Sequence, residues 1–93
     1  MSQCLHITFL VKNKNFLQDV VQKKARQLGI EGVVQGLNAP ESQVKMIACG
    51  TRDALDQLVD ALHQGVGKNH ISDMAIEPTL KERDFRGVFR VIE

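Results

Sequence analysis

Leu5, Ile7, Phe9 and Val11 alternate with Cys4, His6, Thr8 and Leu10, the period-two pattern of a strand with one strongly apolar face. Lys12-Asn13-Lys14-Asn15 then turns the chain. Asn15 is placed to cap a helix, with Gln18 three residues on to reach back as in a capping box. Leu17, Val20, Val21, Ala25 and Leu28 fall within one arc of a helical wheel, and Asp19, Gln22, Lys23 and Arg26 fall opposite. Lys24 lies inside the apolar arc, where its stem covers core atoms while its ammonium reaches water. Gly29 is predicted to end this helix in the left-handed conformation. A second strand is predicted from Gly32 to Leu37, turn chemistry follows in Asn38-Ala39-Pro40-Glu41-Ser42, and a third, alternating strand runs from Gln43 to Cys49.

Gly50 breaks that strand, and Thr51 is the expected cap of a second helix. Its stripe is Ala54, Leu55, Leu58, Val59 and Leu62, and Gly65 is expected to stop it. Gly65 to Asn69 reads as a loop, Ile71 to Glu77 as a strand, Pro78 to Asp84 as a charged connection, and Phe85 to Ile92 as a last strand with Phe85, Phe89 and Val91 facing inward. The order is β-α-β-β-α-β with a fifth strand. Each helix has one face to bury, so both are expected on the same side of one antiparallel sheet, in an α+β, ferredoxin-like α/β sandwich. Their partners are expected to include Ile7, Phe9, Met46, Ala48 and Phe89. In such a sheet the first and third strands are antiparallel neighbours. Cys4 and Cys49 then share one end of it, and register decides whether they bridge.

Composition narrows the function classes. A chain of 93 residues with 43% apolar content suits one domain, 1–93. Twelve basic residues against eleven acidic ones give a net charge of +1, so no global field recruits nucleic acid or an anionic membrane. No apolar run approaches the ~20 residues that span a bilayer, and a soluble, cytoplasmic protein is expected. Two cysteines do not make a zinc knuckle or a disulfide-rich scaffold, and a reducing cytoplasm opposes a bridge between them. His6, His63 and His70 show no metal-ligand spacing, so no metal and no cofactor is expected. None of the serines lies in a Gly-x-Ser-x-Gly context. Lys23-Lys24-x-Arg26, sharing its helix with Asp19, reads as a solvated face. RNA recognition on an open sheet needs exposed aromatics, and the chain has no Trp or Tyr while its Phe9, Phe85 and Phe89 fit the inward pattern.

Ala25-x-x-Leu28-Gly29-Ile30-x-Gly32-x-Val34, Gly50 before the second helix, Leu62-x-x-Gly65 at its end, and the closing Phe85 to Val91 segment together resemble the acylphosphatase family. The resemblance covers nearly the whole chain. It implies a loop after the first strand of the form Val-Gln-Gly-Val-x-Phe-Arg, whose backbone N–H groups cradle the substrate phosphate while the arginine binds it. It also implies an asparagine that orients the attacking water, closing the motif Gly-x-Val-x-Asn. Aligned without gaps on Ala25 and Leu28, Lys14 takes the loop glycine position, Phe16 a hydrophobic position and Gln18 the arginine position. The second motif reads Gly32-Val33-Val34-Gln35-Gly36, so Gly36 takes the place of the asparagine, and Asn38 lies two residues later.

Glutamine cannot reproduce the charged, planar fork that arginine offers a phosphate. No catalytic residue is therefore assigned, and the anion-binding candidates are Lys12, Asn13, Lys14, Asn15, Phe16, Leu17 and Gln18. Three functions stay open. One is a catalytically degenerate acylphosphatase-like domain that binds phosphate, another small anion or a protein partner. A second is a working acylphosphatase, cleaving carboxyl-phosphate anhydrides without a cofactor, with Lys14 and Asn38 standing in. The third is an interaction module that uses the open sheet face.

Overall fold

The computed structural model describes residues 3–12, 17–36, 42–68, 71–80 and 86–92, with the side chains of 17, 18, 36, 42 and 92 left undescribed. Strand β1 is Gln3–Val11, followed by a π-helical turn Leu17–Gln22 that runs directly into helix α1, Lys23–Gln27. Strands β2 (Glu31–Gly36) and β3 (Ser42–Gly50) follow, then α2 (Arg52–Gly67), β4 (Ile71–Thr79) and β5 (Phe89–Ile92). The five strands form one sheet in the order β4-β1-β3-β2-β5.

Alternation along β1 works as expected. Ile7, Phe9 and Val11 are buried against the helices, joined from β3 by Val44, Met46 and Ala48 and from β5 by Phe89. The helices contribute Val21, Ala25, Ala54, Leu55, Leu58 and Leu62 to the same cluster. Both therefore cover one face of the sheet, and all five anticipated partners, Ile7, Phe9, Met46, Ala48 and Phe89, are in that core.

Sheet direction departs from expectation at one edge. β1 pairs antiparallel with β3 and β4, and β2 antiparallel with β3, but β5 lies parallel to β2. The sheet is mixed because β4 occupies one edge and β5 the other. Strands at opposite edges cannot be joined by a tight hairpin.

Element ends also differ. β4 continues through Pro78 to Thr79 rather than stopping at Glu77. It is an edge strand, where a missing N–H need not break a ladder. Helix α2 passes Gly65, whose position is buried, and ends at Gly67, because a glycine that packs against its surroundings need not stop a helix. The last strand is shorter than predicted. Arg86 and Gly87 have φ of 56° and 71° and form a turn before β5 starts at Phe89. Phe85 lies outside the described residues.

Two helix ends are as the sequence reads. The Ala54 N–H donates to Thr51 Oγ1 at 3.2 Å, capping α2. Gly29 has φ of 70°, its N–H donates to the Arg26 carbonyl at 3.2 Å, and the Ile30 N–H donates to the Ala25 carbonyl at 2.9 Å. Those nested bonds are the Schellman motif, and the left-handed residue between them favours glycine.

Cys4 and Cys49 form a disulfide. Register decides it. They face each other directly across the β1–β3 ladder, with Cα atoms 4.1 Å apart, and both are buried.

Candidate functional site

β1 and β2 are each antiparallel to β3, so they run in the same direction and finish at the same end of the sheet. Val44 of β3 is opposite Phe9 on one side and Gly36 on the other. Gly36 therefore lies two strand spacings, about 10 Å, from β1. This sheet end gathers the start of the first helix and the end of the Gly32 to Gly36 segment, the two places the motifs point to. Position 36 is a strand residue paired with Val44. Asn38 lies outside the described residues, as do Asn13, Lys14, Asn15 and Phe16.

Of the anion-binding candidates, Lys12 is an exposed residue at a bend just beyond β1. Leu17 and Gln18 are the first two residues of the π-helical turn. This turn is the feature that periodicity could not reveal. An i→i+5 turn contains one residue more than an α-turn and leaves one more N–H without an intrahelical partner at its start. Val21 and Ala25 are fully buried, but Val20, placed in the apolar arc by the wheel, is 38% exposed. Val20 stands at the edge of that arc, five residues before Ala25, and its side chain reaches water.

The helical segment is anchored at its far side. The Gln22 side-chain amide donates to the Phe89 carbonyl at 3.4 Å, tying the turn to β5. At the opposite end of β2, the Gly87 N–H donates to Glu31 Oε2 at 2.8 Å, so the turn before β5 is held by the strand it joins. Away from this sheet end, a shallow polar groove of about 190 Å³ lies between the helices, lined by Lys24, Gln57, Asp60, Ala61 and Gln64. Among the described residues no helix is long and apolar enough to cross a membrane.

The comparisons with known proteins bear on the same frame. An acylphosphatase of Coxiella burnetii (strain RSA 493 / Nine Mile phase I) is 33% identical over 86 residues, covering 89% of this chain and 88% of the relative. The structure of an acylphosphatase from Coxiella burnetii superposes with a TM-score of 0.76 at 30% identity, over 98% of this chain and 93% of that one. The crystal structure of the Bacillus subtilis acylphosphatase, at 20% identity, shares the fold with a TM-score of 0.71 over the full length of both chains. With the family's sequence pattern matched from residue 6 to residue 91 on a ferredoxin-like sandwich of the same layout, this chain belongs to the acylphosphatase family.

Proposed function

We propose that this chain is an acylphosphatase-fold domain whose catalytic site is degenerate, with residual affinity for phosphate or a similar small anion in the segment Lys12 to Gln18. The observation that carries the reading is the residue at the arginine position, which lacks charge on either way of counting. Counted backward from Ala25 without a gap, the position is Gln18. Counted forward, Val11-Lys12-Asn13-Lys14-Asn15-Phe16-Leu17 matches Val-Gln-Gly-Val-x-Phe-Arg residue for residue in length and places Phe16 on the motif's phenylalanine. The position is then Leu17. The two counts differ by one residue, and the π-helical turn Leu17–Gln22 is the local structure that accommodates one residue more. The water-orienting asparagine is replaced by Gly36 on both counts.

Phosphoryl transfer is accelerated mainly by positioning and by neutralising charge on the transferred group. Removal of one well-placed donor typically slows turnover by roughly 100- to 1000-fold. Loss of the asparagine slows it further, though not additively. Anion affinity has a separate source. The free N–H groups at a helix start and the charge of Lys12 and Lys14 attract phosphate without an arginine.

Hydrolysis of a model acyl phosphate by the natural chain is the direct test. Turnover far below that of an active acylphosphatase assayed alongside supports the reading, and comparable turnover overturns it. Two rescue variants, Leu17→Arg with Gly36→Asn and Gln18→Arg with Gly36→Asn, then separate the two counts. The π-turn favours recovery in the first. Phosphate titration followed by backbone amide shifts tests the anion site, and amides from Asn13 to Gln18 unmoved up to tens of millimolar would remove it. The second reading, a working enzyme with Lys14 and Asn38 as substitutes, draws on the activity for which the Coxiella burnetii relative is named. High turnover by the natural chain that collapses in Lys14→Ala and Asn38→Ala would establish it.

A further inference from the structure

Both helices cover one face of the sheet, and the other face carries a row of five residues in register across all five strands. Glu77 of β4 is opposite His6 of β1, His6 is opposite Ile47 of β3, Ile47 is opposite Val33 of β2, and Val33 is opposite Arg90 of β5. The three central residues are half-buried and the two outer ones exposed. The row has His6, Ile47 and Val33 at its centre, an acid at one edge and a base at the other.

We propose that this face is the surface through which two copies of the chain associate, about a two-fold axis running along β3. β3 is the middle strand, with two strands on either side, so a rotation about it lays each edge of one sheet over the opposite edge of the other. Ile47 then meets Ile47 of the second copy, and His6 meets Val33. Each Glu77 meets an Arg90, twice over. Charge complementarity of this kind fixes both register and partner. A rotation about an axis perpendicular to the strands would instead put Glu77 on Glu77 and Arg90 on Arg90. The usual crossing of about 30° between packed sheets shifts the edges by a few ångströms, a gap that Glu and Arg side chains span.

The face measures about 24 Å across five strands and about 20 Å along them. Pairing two such faces covers close to 1,000 Å², the range of weak, transient interfaces. One contact opposes association. Lys45, one row beyond Ile47 on the same strand and face, meets Lys45 of the second copy near the axis, so removal of that charge should tighten the pair.

Sedimentation of the full chain from about 10 µM to 1 mM at low salt reads the equilibrium, with a dissociation constant expected on the order of 100 µM. Arg90→Glu alone and Glu77→Arg alone should each weaken association about tenfold, the double exchange should restore it, and Lys45→Gln should tighten it. Amide spectra recorded over the same concentrations check that each variant is folded, and in the natural chain they should shift at His6, Val33 and Ile47. A chain that stays monomeric at 1 mM overturns the proposal. So does an association indifferent to the single reversals, a double exchange that fails to recover, or concentration-dependent shifts confined to α1 and α2.

Discussion

At Gly32 the backbone has φ of 151°, and a Cβ built there runs into the carbonyl of Ile47 on the neighbouring strand. Glycine is needed for close approach as well as for backbone freedom. Gly32→Ala should cost about 3 kcal/mol or more, read from the denaturant midpoint, and a loss under about 1 kcal/mol would contradict the close approach. The disulfide is the other place where single residues matter. It closes a sequence separation of 45 residues, so its removal frees a long loop in the unfolded chain. Cys4→Ala with Cys49→Ala should lower stability by about 2–4 kcal/mol. The natural chain should lose a similar amount when unfolded in strong reductant, whereas the double variant should not respond to reductant at all. Glycine at position 32 was legible in the sequence as part of a motif, and the clash that explains it was not. It depends on which residue of β3 the register brings opposite.

The π-helical turn carries a prediction at the scale of one element. If it holds one residue more than an α-turn of the same span, deletion of a residue inside it should restore α-helical bonding without rotating what lies on either side. Val20 is the suitable residue, since its side chain is exposed. The chain lacking Val20 should keep its stability within about 1 kcal/mol of the natural chain or gain, with amide hydrogen bonds of i→i+4 type through the segment. Deletion of Asp60 from the regular helix α2 is the contrast. It shifts Leu62 by one position relative to Leu55 and Leu58, turns part of a buried stripe toward water, and should abolish cooperative folding. Hydrophobic patterning announced both helices, the cap at Thr51 and the stop at Gly29, because these follow from residues close in sequence. The π-turn escaped it because a wheel presumes constant spacing.

For the molecule as a whole, the cluster from β1, β3, β5 and both helices is the main source of stability. Leu58 is fully buried within it, so Leu58→Ala should cost about 2–5 kcal/mol of the about 5–10 kcal/mol such a domain has. Val66→Ala, at an exposed site on the same helix, should change stability by less than about 0.5 kcal/mol. By itself the sequence determined the element order, the inward faces of the strands and helices, the family resemblance, and the presence of uncharged Gln18 where an ungapped alignment on Ala25 and Leu28 expects the arginine. All of these rest on residue type and local spacing, which a chain carries with it before it folds. The tertiary structure alone decided the parallel placement of β5, the closure of Cys4 on Cys49, the continuation of β4 through Pro78, and the line of Glu77, His6, Ile47, Val33 and Arg90 across five strands. Each depends on which strand lies beside which and in what register. That is set by packing between segments far apart in the chain, and local pattern carries no record of it.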